Sequence, residues 1–177
     1  ESRISELAGY RYVLAVNSAT AAYHLAFRAL EISGNDEILI PSFFDIAPLA
    51  ALNLTGGIPA LIDIEADSFS PGSEQYRAKI TPQTKALVTG HLFGFVKDIA
   101  DIIALGIPVI EDISHSIGSD LHETSQDARA TLCIASFAPN MLMTTGNGAV
   151  VMTNNSRMYS LMKDLRGGNG RTAVVHF

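Results

Sequence analysis

The chain has 177 residues, 47% of them hydrophobic, with 12 Lys plus Arg against 18 Asp plus Glu and a net charge of −6. That is enough for one compact α/β domain with a substantial core, but not for two full-sized ones, and the lack of a basic tract argues against nucleic acid as a partner. No apolar stretch approaches the roughly 20 residues of a membrane-spanning helix, and a single cysteine forbids an intrachain disulfide, so a soluble, cytoplasmic protein is expected.

In chain order, short β-branched runs alternate with helical stretches. Strands are expected at Tyr12 to Val16, Glu37 to Ile40, Pro59 to Ile64, Ala86 to His91, Pro108 to Glu111 and Thr131 to Ser136. Amphipathic helices are expected near Ala19 to Ile32, Ile46 to Asn53 and Ile99 to Leu105. This β-α-β order predicts a three-layer α/β/α domain with a mostly parallel sheet. Gly148 to Thr153 follows its predecessor across a loop too short for a helical crossover and is expected to run antiparallel. A last helix is expected over Ser156 to Leu165. Asp67 to Gln83 is the least regular stretch, its Pro71-Gly72 and Thr81-Pro82 pairs marking turns. The chain lacks an initiator Met and ends in the uncapped apolar run Val174 to Phe177, so both ends are expected to be truncated.

Ligands of open parallel sheets bind beyond the carboxyl ends of the strands. After the first strand, Asn17-Ser18-Ala19-Thr20-Ala21-Ala22 opens a helix whose free N–H groups and hydroxyls suit a phosphate; on this segment alone, plain capping by Ser18 is the simpler reading. Pro108-Val109-Ile110 ends in Glu111-Asp112-Ile113-Ser114-His115. A carboxylate there can keep a heteroaromatic nitrogen protonated, although on this segment alone helix capping by Asp112 and a core or solvated His115 are the simpler readings. His91 is ambiguous for the same reason, and Ser136 either caps a loop or donates to a phosphate. Cys133, in an apolar run, reads as a small hydrophobe. The histidines at 24, 91, 115, 122 and 176 show no metal-ligand spacing, so no metal site is expected. Walker, Gly-x-Ser-x-Gly and Gly-x-Gly-x-x-Gly motifs are missing.

Five blocks in shared order, from near residue 10 to near residue 172, resemble the DegT/StrS family of pyridoxal-phosphate sugar aminotransferases, of fold-type I. They are Asn17 to Ala22, Glu37-Ile38-Leu39-Ile40-Pro41-Ser42-Phe43, His91-Leu92-Phe93-Gly94, Val109-Ile110-Glu111-Asp112 and Ser136-Phe137-x-Pro139. The terminal Leu165 to Arg171 resembles a further family segment. The resemblance implies the large, cofactor-binding domain of that fold, spanning 1–177, with the family's smaller C-terminal domain absent. It implies that Asp112 pairs with the pyridine nitrogen and that His115 lies near the ring hydroxyl. Ala19, Thr20 and Ser136 would contact the phosphate, and Phe44 the ring. It also implies a homodimer and a nucleotide-sugar or phosphorylated ligand.

Three departures matter. The family's cofactor-binding lysine, five positions beyond the serine, falls on Met141, and a thioether can neither form an imine nor shuttle a proton. The family's stacking aromatic falls on Asp45, with Phe44 one place early. The connection from Gly94 to Ile107 is shorter than usual. The expectation is a catalytically degenerate homologue in which pyridoxal or pyridoxamine phosphate, if bound, is held non-covalently. The alternatives are an aminotransferase or dehydratase with His115 as its base, and a non-enzymatic pairing subunit or phosphometabolite binder.

Overall fold

The computed structural model describes residues 1–119 and 129–168. Seven strands form one sheet in the order β1-β7-β6-β5-β4-β2-β3: β1 Tyr12–Val16, β2 Glu37–Pro41, β3 Ile58–Ile62, β4 Thr84–Gly90, β5 Val109–Asp112, β6 Leu132–Ser136 and β7 Ala149–Thr153. All neighbours are parallel except the two pairs that involve β7, which is antiparallel to both β6 and β1. Three helices, α2 (Ala19–Ala29), α3 (Ala47–Thr55) and α6 (Ser156–Lys163), cover one face. The short helices α1 (Ser2–Ala8), α4 (Ser73–Lys79) and α5 (Ala100–Ile103) belong to the other.

This layering explains the strand composition. A strand buried on both faces needs apolar residues at successive positions, not only alternate ones. Along β5, Val109 packs towards α4 and α5 while Ile110 packs beneath α2. In β6, Leu132 and Ile134 join the α2 side, and Cys133 and Ala135 join the cluster under α1. Cys133 is wholly buried, and burial raises its thiol well above the ordinary range, which keeps it protonated and unreactive.

The expected strands are all present, with ends displaced by one or two residues. The first helix, expected to reach Ile32, stops at Ala29 because Glu31 adopts a left-handed φ of 57°. The irregular stretch from Asp67 to Gln83 contains α4, which sequence pattern did not announce. This helix has seven residues and one buried side chain, Tyr76, whose hydroxyl donates to the Val88 carbonyl at 2.6 Å. Helix α1 was equally unannounced. The final segment turns at Asp164–Gly168, while Asn169 to Phe177 and His122 lie outside the described residues.

The outer edges of the sheet carry particular side chains. On β1, the Ala15 N–H donates to Glu1 Oε1 at 3.0 Å, and the Ala15 carbonyl accepts from Arg166 at 2.9 Å; Glu1 and Arg166 also pair with each other. At the opposite edge, β3 carries Pro59 opposite Ile38.

Candidate cofactor site

The carboxyl ends of β4, β5 and β6 and the start of α2 converge on a cavity of about 210 Å³. Its lining includes Ala19, Phe44, Asp112, His115, Ser136 and Met141, all singled out in the sequence, so four distant segments meet in one place. Thr20, one residue into α2 and half-buried, is not part of that lining. The lining adds Phe43, Leu92, Phe93, Ser114 and Asn140, which the sequence did not single out, together with Asp45 and His91.

Asp112 ends β5 and is only 8% exposed. Its Oδ2 accepts from the Tyr23 hydroxyl at 2.7 Å and its Oδ1 from the Ser114 N–H at 2.9 Å. Burial pushes the carboxyl above its usual range; the hydrogen bonds from Ser114 and Tyr23 oppose that shift, and Asp45 adds to it. The Tyr23 phenol is likewise raised well above its ordinary value, first by burial and then by Asp112, so it remains a donor. Tyr23 reaches Asp112 from α2, across 89 positions of sequence.

His91 is 2% exposed, and its Nε2 lies 2.8 Å from Glu111 Oε1. Its Nδ1 accepts the Lys97 N–H at 3.2 Å. A backbone N–H can only donate, so Nδ1 presents its lone pair and the ring proton sits on Nε2, facing Glu111. His115 is fixed similarly, its Nδ1 accepting the Phe93 N–H at 3.2 Å. In its neutral form it therefore carries its proton on Nε2 and is set to donate rather than to accept.

Two close contacts set the floor and wall. Gly90 admits the Phe44 ring, since a Cβ there would lie 2.7 Å from the ring and 3.1 Å from the Asp112 carbonyl. Phe44 thereby turns inward and Asp45 is left exposed at the rim, its Oδ1 accepting the Ala47 N–H at 2.7 Å just ahead of α3. On the opposite wall, the 138–147 loop is pinned by Phe137 N–H to Gly148 carbonyl at 2.8 Å and Thr145 N–H to Phe137 carbonyl at 3.1 Å. Met141 lies half-buried within that loop, and no lysine or arginine lines the cavity among the described residues.

Ser136 is 3% exposed; its N–H donates to Ser114 Oγ at 2.8 Å, and its Oγ accepts the Ala138 N–H at 3.3 Å. Ser18 caps α2 through Ala21 at 3.2 Å, which leaves the Ala19 end of that eleven-residue helix as a positive pole at the cavity.

The match to known proteins is decisive at this point, because one family model spans residues 1–172. The chain belongs to the DegT/DnrJ/EryC1/StrS aminotransferase family. Among solved structures it is similar to S. venezuelae DesV in complex with a ketimine intermediate, with a TM-score of 0.87 and 27% identity over 97% of this chain and 48% of that one. It is also similar to NtdA from Bacillus subtilis with bound cofactor PMP (0.86, 26%, 100% and 42%). A third match is the aminotransferase from Psychrobacter cryohalolentis (0.83, 27%, 94% and 43%). This DegT/StrS chain thus spans less than half the length of these solved relatives. No described helix is long and apolar enough to cross a membrane, and no group of three or more potential metal ligands occurs among the described residues.

Proposed function

We propose that this chain is a DegT/StrS-type cofactor domain that holds pyridoxal or pyridoxamine phosphate without a covalent bond and does not transaminate by itself. The reading rests on Met141, a thioether in the loop position where the family resemblance requires a lysine, in a cavity whose lining offers no amine side chain among the described residues. The remaining donors suit the cofactor. Asp112 would hold the ring nitrogen protonated, His115 Nε2–H would meet the ring hydroxyl, and Ser136 with the Ala19 end of α2 would take the phosphate. When bound, the pyridine ring supplies an electron sink. His115 is a poor replacement base, because its lone pair is already committed to the Phe93 N–H.

Titration with pyridoxal phosphate and, separately, pyridoxamine phosphate tests this. Both are expected to raise the unfolding temperature in a concentration-dependent way, with no borohydride-fixed adduct in the 138–147 peptide. If millimolar amounts of both leave stability untouched, the site is not a cofactor site and the fold serves an interaction role.

A nucleotide sugar is a poor fit for this chain alone, because the cavity falls short of the roughly 300–1,000 Å³ of drug-sized ligand sites. A small phosphorylated metabolite at the α2 terminus is the second reading, and competition by inorganic phosphate alone would favour it.

The rim supports a second copy of the chain as partner. Phe43, Phe69, Phe93 and Phe95 are 50%, 36%, 59% and 57% exposed, and their rings contact one another at centroid distances of 5.4–6.4 Å. Exposed apolar clusters of this kind mark contact surfaces. Sedimentation of the wild type is expected to give a dimer, and the Phe93→Ser, Phe95→Ser double variant a folded monomer. A monomeric wild type would refute the pairing.

A further inference from the structure

The carboxylate at position 45 is more than a lost aromatic. Its Oδ1 accepts the Ala47 N–H ahead of α3, while among the described residues its Oδ2 has no partner and no lysine or arginine pairs with it. Its field reaches the cavity, acting on both Asp112 and Tyr23. The neighbouring Phe43, Phe44 and Phe93 rings add faces that attract cations. Neither cavity histidine offsets this as a fixed cation, for His91 is bound as a donor to Glu111 and His115 accepts from Phe93. The cavity therefore has two carboxylates, at 45 and 112, and one positive pole at Ala19. A ligand that complements it carries two positive groups and one anionic end.

Resting on the non-covalent cofactor reading above, we infer that Asp45 makes the site selective for the amine form of the cofactor, pyridoxamine phosphate, by pairing with its ammonium group. The three charges of that molecule match the three poles of the cavity: ring N–H to Asp112, ammonium to Asp45, phosphate to the α2 terminus and Ser136. The aldehyde form offers no second cation, and without a lysine it has no covalent anchor to compensate.

Pyridoxine phosphate, which has a neutral hydroxymethyl group in place of the aminomethyl group and cannot react with amines, is the control ligand. Dissociation constants of pyridoxamine phosphate and pyridoxine phosphate are measured for the wild type and for Asp45→Asn, which retains an acceptor for the Ala47 N–H. The wild type is expected to prefer the amine about tenfold, as one charge-assisted contact predicts. In Asp45→Asn the preference should collapse through weaker amine binding, with pyridoxine phosphate affinity unchanged or improved. Equal wild-type affinities, or a preference that survives in Asp45→Asn, overturn the role of Asp45 while leaving the cofactor reading intact. Failure of both ligands to bind overturns the cofactor reading itself, and the selectivity with it.

Discussion

Replacing Met141 with lysine is expected to create a covalent attachment point for pyridoxal phosphate, detected after borohydride reduction as a modified peptide spanning the 138–147 loop. Methionine and lysine are both unbranched and flexible, so the new side chain can follow the path of the old one. The loop that carries it is held at both ends by backbone hydrogen bonds that the substitution leaves alone. Two carboxylates facing the same cavity, Asp45 and Asp112, stabilise the ammonium form, while burial disfavours it. Reaction should therefore be faster at alkaline pH, where more of the amine is free. The change is from no adduct in that peptide to near-stoichiometric labelling at saturating cofactor. Lys79, Lys85, Lys97 and Lys163 provide the internal measure of indiscriminate labelling. Labelling at 141 no greater than at those positions would mean that the loop does not face the bound ring, and the proposed degeneracy would lose its basis.

The second large effect concerns Asp112, where binding and folding pull in opposite directions. Burial raises its folded-state pKa above the ordinary 3.8, so the folded chain keeps the proton longer than the unfolded one. Stability carried by this group is thus complete below about 3.8 and is lost as pH rises through the raised folded value. Asp112→Asn removes that loss. The stability advantage of the variant over the wild type should be near zero or negative in acid and should grow towards neutral pH. Each kcal/mol of relief is worth on the order of 2–4 °C of unfolding temperature in a chain of this size. The same variant should bind pyridoxamine phosphate about 10- to 100-fold more weakly, the value of one charge-assisted hydrogen bond of ~1.5–3 kcal/mol. A stability difference that does not vary with pH would show that the carboxyl is not held in a costly state. Unchanged cofactor affinity would remove Asp112 from the ring nitrogen.

Much of the fold was legible because burial on both faces writes itself into composition. Continuous apolar runs such as Ile38 to Ile40 and Leu132 to Ala135 leave few readings other than central parallel strands. Helix α4 was hidden for the opposite reason: a seven-residue element that buries only Tyr76 has no apolar stripe for periodicity to detect. In the site, residues at strand ends were legible by position, since topology alone sends Asp112, Ser136 and the start of α2 to one end of the sheet. The partners that tune them were not. Tyr23 lies on a helix face where an aromatic reads as core, and its hydroxyl meets Asp112 only through tertiary packing. The Phe93 N–H that fixes His115 depends on a left-handed φ of 58° that no local residue preference announces.

The side chains at the two outer strands have a bearing on self-association. An open sheet invites further strands wherever unpaired N–H and C=O groups line its border. At β1, the outward N–H and C=O of Ala15 are both occupied, one by a carboxylate and the other by a guanidinium that hold each other in place. An incoming strand would have to break that ion pair to form ladder bonds with Ala15. At β3, Pro59 has no N–H to offer, although Ile58 and Leu61 there are about half exposed. Each border is thus interrupted at one position, which discourages further strands from adding there.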